Sequence, residues 1–204
     1  DIVIANPPFN MKIPAMQPVL INKETTDGNV FFIDYCMQHM KEDGRGGVIM
    51  MNSILCKDGD IEDMRKALIE QKRLAGAMNF TTNLFESTSI GTCLLCIGEA
   101  ERPLLIDCTE KKTGAGKKWT YSGEQIEEIL SIFQKRKAAG IRTFDEVTPG
   151  EYLALIPDAE ELKARGYAID ANRYLSGGCV TEADLKETVR DYMQWKFMQA
   201  FQRR

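Results

Sequence analysis

Two rhythms of apolar and polar residues run through the first half of this chain. The first is a set of short runs that stay apolar throughout: Ile2-Val3-Ile4-Ala5, Val48-Ile49-Met50-Met51, Ala75-Gly76-Ala77-Met78-Asn79-Phe80 and Thr92-Cys93-Leu94-Leu95-Cys96-Ile97. Runs of this length and β-prone make-up predict strands buried on both faces. The second rhythm is helical. Residues 29–41 place apolar groups at Phe32, Cys36, His39 and Met40, and Gly44-Arg45-Gly46-Gly47 stops that helix. Asp60 is placed to cap a further helix with Ile61, Met64 and Leu68 on one face, ending near Arg73. Arg102-Pro103 then turns the chain into Leu104-Leu105-Ile106, read as an antiparallel return. Strands alternating with helices predict an α/β fold with a mostly parallel sheet. Its ligand crevice is expected at the carboxyl ends of the strands.

Past residue 110 the pattern changes. Lys111-Lys112-Thr113-Gly114-Ala115-Gly116-Lys117-Lys118 reads as a flexible basic loop. Ser122 and Gln125 form a capping box ahead of Ile126, Ile129, Leu130 and Phe133. Residues 143–180 are punctuated by proline and glycine and read as irregular. Thr181 caps a last helix on which Leu185, Val189, Met193, Phe197 and Phe201 recur every four residues, a stripe that either folds back or docks on a partner helix. The division expected is residues 1–110 as part of an α/β core, and residues 111–204 as a basic loop and mainly helical extension. The chain opens on Asp1 and enters a strand at once. A strand of that kind needs neighbours, so the expectation is the second half of a larger sheet.

Composition narrows the classes. Of 204 residues, 44% are hydrophobic and 27% charged, which is ordinary for a globular protein. No apolar run reaches the length of a membrane span, and no signal peptide opens the chain. Six scattered cysteines suit reduced thiols in a cytoplasmic protein better than a disulfide framework. The net charge of −4 disfavours bulk nucleic-acid binding. Residues 111–142 nevertheless hold eight basic and three acidic side chains, either a solvated face or a strip that touches phosphate.

Asn6-Pro7-Pro8-Phe9 carries the chemistry. It follows the first strand directly, where the crevice is expected. The Asn6 side-chain carbonyl can accept a hydrogen bond from the exocyclic amine of a planar base. Two prolines fix φ and remove two backbone donors, which leaves the Pro7 carbonyl free to accept the second amine hydrogen. Two acceptors then turn the nitrogen lone pair toward an electrophile, so alignment and proximity do the catalysis. Phe9 offers a face to an extruded base. The alternative is a plain proline turn, but these four residues in a row arise by chance in roughly one chain of this length in a thousand.

Asp1 to Phe9 resembles motif IV of the N6-adenine DNA methyltransferases, and in particular the modification subunit of type I restriction-modification systems. Further segments agree in order. Gly28-Asn29-Val30 resembles the family's Gly-Asn-Ala helix start. Gly44-Arg45-Gly46-Gly47-Val48-Ile49 resembles its Gly-Gly-Arg-strand element. Asn83-Leu84-Phe85 with Ile90-Gly91-Thr92, and the stretch from Gly166 to Tyr174, resemble two later segments. The resemblance implies the second half of a doubly wound methyltransferase sheet and methyl transfer from S-adenosylmethionine to adenine N6 in DNA. It places Asn6, Pro7, Pro8 and Phe9 at the catalytic turn and Phe85 near the second face of the flipped base, where the alternative is a core Phe. It implies a specificity subunit as partner, docked through Leu185, Val189, Met193 and Phe197, and a restriction subunit in the same complex.

The sequence departs from the family at Val30, at Met51-Asn52-Ser53 where a proline turn is usual, and at Phe80-Thr81-Thr82. The family's glycine loop for the cofactor would lie before Asp1, so the chain alone is expected to bind S-adenosylmethionine weakly or not at all. Two other readings stay open: an inactive truncated module that docks on a specificity subunit, and a release-factor-type glutamine N5-methyltransferase with a similar turn. Cys93 and Cys96 stand three apart on a strand, so they should face opposite sides and not share a metal. His39 is expected to be a packed or half-exposed core histidine.

Overall fold

A computed structural model describes residues 1–85, 89–109, 112–115, 118–134 and 153–174. Its centre is a six-stranded sheet made of β1 (Ile2–Ala5), β4 (Arg45–Met51), β6 (Thr92–Ile97), β5 (Leu74–Asn79), β7 (Leu104–Asp107) and β10 (Leu153–Leu155), in that spatial order. β1 and β4 pair in parallel, and β5 and β7 pair in parallel. Between these pairs runs β6, antiparallel to both β4 and β5. β1, β4, β5 and β7 therefore point the same way and present their carboxyl ends along one edge.

The strand faces alternate as period-two geometry requires. Val48, Met50, Ala77, Cys93, Leu95 and Leu105 enter one core, under α1 (Gly28–Gln38) and α2 (Asp60–Glu70). Met78, Leu104, Ile106 and Ala154 enter a second, which Ile129 of α3 (Gly123–Gln134) covers with Ile132 and Phe133 packed against it. Cys93 lies in the first core and Cys96 against the second, on opposite faces.

Several expectations are corrected. β1 is not buried on both faces: Ile2 is 78% and Ile4 83% exposed. Among the described residues β1 pairs only with β4, and its Val3 and Ala5 alone reach the core. Leu104-Leu105-Ile106 does not fold back on β6 but crosses β5 to lie parallel to it on its far side. Asp60 is the first residue of α2 and not its cap; its carboxylate takes Thr25 Oγ1 at 2.5 Å and Lys23 Nζ at 2.7 Å. The hydrogen bond from Lys23, then that from Thr25, holds the Asp60 carboxyl below its ordinary value against the opposing effect of burial. The basic loop contains a hairpin, β8 (Thr113–Ala115) with β9 (Lys118–Thr120). Residues 143–180 are not wholly irregular, because β10, α4 (Ala159–Ala164) and a 3-10 turn at Ala171–Tyr174 lie within them. β10 joins β7 of the main sheet. The Ser122–Gln125 box is present, with Ser122 N donating to Gln125 Oε1 at 2.8 Å and Gln125 N to Ser122 Oγ at 3.2 Å.

Candidate active site

β1 ends at Ala5, and Asn6-Pro7-Pro8-Phe9 leaves it at the sheet edge where β4 also ends. Pro7 is buried, Phe9 half-buried, and Asn6 and Pro8 exposed. The turn is completed by Asn10, whose φ of 53° lies in the left-handed region that asparagine tolerates. A short hairpin follows, β2 (Lys12–Met16) against β3 (Thr25–Asp27). It returns the chain to the start of α1, where Gly28 N donates to Met11 O at 2.9 Å. Asp27 caps α1 by accepting from Asn29 N at 2.9 Å and Asn29 Nδ2 at 2.8 Å. Gly28 thus fixes the start of α1 against Met11, two residues beyond Phe9, while Asn29 secures the cap.

The result is a groove of about 410 Å³ between the end of β1 and α1. Val3, Ile4, Ala5, Asn6 and Pro7 form one wall, and Phe31, Phe32, Tyr35, Cys36 and His39 the other. Phe31, Tyr35 and His39 stand one turn apart along the helix. Phe31 and Tyr35 have ring centroids 5.9 Å apart, and Tyr35 stacks on His39 at 4.1 Å. His39 is exposed and not a core residue; its Nδ1 lies 2.8 Å from Tyr35 O. Burial pushes the Cys36 thiol up, so it is a wall and not a nucleophile. Among the described residues no carboxylate lines the groove. Ring faces beside one exposed amide suit a planar, uncharged group held and oriented, rather than proton abstraction by an acid–base pair.

The structure brings Asn6 and Pro7 to this groove, while Phe9 and Phe85 do not line it. Phe85 is half-buried in the connection that follows β5 on the same sheet edge. Leu185, Val189, Met193 and Phe197 lie outside the described residues. The spacing of Phe32, Cys36, His39 and Met40 marks the helix but not its aromatic wall, since it leaves out Phe31 and Tyr35. The signal was present in Phe31, Tyr35 and His39 at four-residue spacing. Among the described residues no strand ends in a Gly-x-Gly turn, and no group of three metal-ligating side chains assembles.

Comparison with known proteins matches residues 1–183 to the family model for N-6 DNA methylase. The methylase subunit of the type I restriction enzyme MpnII from Mycoplasma pneumoniae is 22% identical over 222 residues, which cover 95% of this chain and 40% of that one. The crystal structure of a type I restriction-modification methyltransferase subunit from Streptococcus thermophilus superposes with a TM-score of 0.71 at 20% identity, over 86% of this chain and 38% of that one. The type I restriction enzyme EcoKI M protein superposes at 0.60 and 14% identity, over 95% of this chain and 47% of that one. This chain spans about 40% of the length of the MpnII methylase subunit. The strand order and the two structures agree on the fold, and the match over residues 1–183 shows that the chain belongs to the N-6 DNA methylase family.

Proposed function

We propose that this chain carries the target-base side of an adenine-N6 DNA methylase, the modification subunit of a type I restriction-modification complex. The observation that supports this most is Asn6-Pro7-Pro8-Phe9 at the carboxyl end of β1, its amide exposed beside an aromatic groove. S-adenosylmethionine supplies the methyl group when bound. The described residues fit only part of that cofactor, because they offer ring faces and an amide but no glycine turn after a strand. Asn6 accepts a hydrogen bond from the adenine amine, the Pro7 carbonyl accepts the second, and Phe9 stacks on the extruded base. The amine lone pair is thereby aimed out of the ring plane, and the proton leaves after transfer. DNA is the substrate, and a specificity subunit chooses the sequence and docks on the stripe of Leu185, Val189, Met193 and Phe197. A restriction subunit joins the same complex, and the assembly works in the cytoplasm. No described helix is long and apolar enough to cross a membrane.

The test uses the complete methylase. Asn6→Ala removes one preorganised acceptor and should slow single-turnover methylation by ~10²–10³-fold. DNA affinity should hold, since phosphate contacts dominate it. Phe9→Ala should also weaken capture of the flipped base, by ~1–3 kcal/mol, and Phe9→Trp should retain much of the activity. Wild-type transfer by Asn6→Ala would remove this turn from the active site.

A further inference from the structure

Asn52 is the first residue after β4, the strand that lies beside β1 and ends on the same sheet edge. Its backbone N donates to Gly91 O at 2.9 Å, and its side-chain Nδ2 donates to Phe80 O at 3.2 Å. One residue therefore grips both ends of the connection between β5 and β6, the connection that carries Phe85. Phe80 N closes the same ends by donating to Thr92 O at 2.7 Å. Gly91 is shaped to this grip. A Cβ there would stand 2.7 Å from Asn52 Nδ2, while the next residue it would meet is Thr82, at 3.6 Å. The Asn52 amide occupies the space that the missing side chain leaves.

The amide orientation is set by the same contacts. Nδ2 must face the Phe80 carbonyl, because the opposite flip would set two oxygens against each other. Oδ1 is then left buried without a hydrogen-bond partner, as is the neighbouring Thr92 hydroxyl. Asn52 is half-buried, and with its Oδ1 buried and unpaired the two bonds it does make are what hold it in this orientation. A proline at this position would have no N–H for Gly91 and no amide for Phe80.

We propose that Asn52 is a positioning residue that ties both ends of the Phe80–Gly91 connection to the end of β4 and so sets where Phe85 stands on the sheet edge that carries the catalytic turn. This rests on the adenine-N6 reading of the site. The test is a double-mutant cycle in the complete methylase, on duplex DNA with 2-aminopurine at the target position. Asn52→Ala should cut both the flipped-base fluorescence and the single-turnover rate roughly tenfold, with S-adenosylmethionine affinity by calorimetry unchanged. Gly91→Ala alone should cost more, because its Cβ displaces the amide. Asn52→Ala with Gly91→Ala should return to the level of Asn52→Ala, since the only close neighbour is gone. Additive penalties, wild-type behaviour of Asn52→Ala, or a fall in cofactor affinity equal to the fall in rate would each overturn the assignment. An Asn6→Ala control separates the two claims. If the wild type methylates adenine N6 and Asn6→Ala does not, the cycle judges Asn52 alone.

Discussion

A Cβ on Gly28 would stand 2.5 Å from the Met11 carbonyl oxygen, closer than real atoms approach, and the obstacle is backbone. Gly28 is therefore the residue that lets α1 begin against the chain leaving the Asn-Pro-Pro-Phe turn. Gly28→Ala must push the hairpin away from the helix. Overpacking of this kind costs ~1–3 kcal/mol. A urea midpoint that falls with an unchanged slope would show it, and a midpoint equal to wild type would show the contact to be yielding. The four residues of the turn were legible in the sequence because their chemistry is local: a rigid backbone, one amide and one ring. The exposure of Ile2 and Ile4 was not, because burial depends on what covers a strand and an apolar run does not encode its cover.

At the scale of elements, Arg65 on α2 does for the tail of the fold what Gly28 does for its start. Arg65 is 1% exposed, and none of its hydrogen bonds goes to a carboxylate. It donates to Ile54 O at 2.8 Å and Lys57 O at 2.7 Å beside the 3-10 turn at Asn52–Leu55. It also donates to Tyr167 O at 2.8 Å and Gly166 O at 3.2 Å, at the end of α4. Burial pulls the guanidinium below its ordinary value. Ile169 N, donating to Leu55 O at 2.8 Å, continues the same seam. Arg65→Met keeps the bulk and removes every donor. Each buried carbonyl left without a partner costs ~1–3 kcal/mol, so unfolding should ease by at least ~3 kcal/mol, with faster hydrogen exchange at residues 166–169. Arg65→Lys should recover only part of this, since an ammonium lacks the fork. A melting temperature unmoved by Arg65→Met would contradict the clamp. Ile61, Met64 and Leu68 announced α2 through their spacing, but Arg65 read as one more surface charge. Its partners are main-chain oxygens up to 102 positions away, which no side-chain pattern reveals. The β8–β9 hairpin escaped for a related reason, since two three-residue strands among lysines and glycines have no apolar face to show.

Across the whole molecule, alkaline pH should be the weak side. Among the described residues five cysteines form no disulfide, and burial holds the Cys93 and Cys108 thiols far above the ordinary value near 9. Tyr174 is raised as well, again mainly by burial. A group raised in the folded state keeps its proton there while the unfolded chain releases it. Stability is therefore complete below about pH 9 and falls as pH climbs toward the folded values. Each thiol contributes a slope of ~1.4 kcal/mol per pH unit. Urea unfolding under reductant between about pH 8 and pH 10.5 should show that decline. Cys93→Ala with Cys108→Ala should flatten it. Stability that stays level across the range in the wild type would mean that these thiols titrate in the folded chain as they do in the unfolded one.

The place of β6 has a consequence for synthesis. It is paired on both sides, with β4 and with β5, yet it is made after both of them. A nascent chain that ends before Thr92 holds β4 and β5 with the space between them empty, and the helices over them have half a sheet to rest on. The release of residues 92–97 from the ribosome joins β4 to β5 in one event, so this four-strand part of the sheet arrives abruptly, and β7 and β10 add to its edge afterwards.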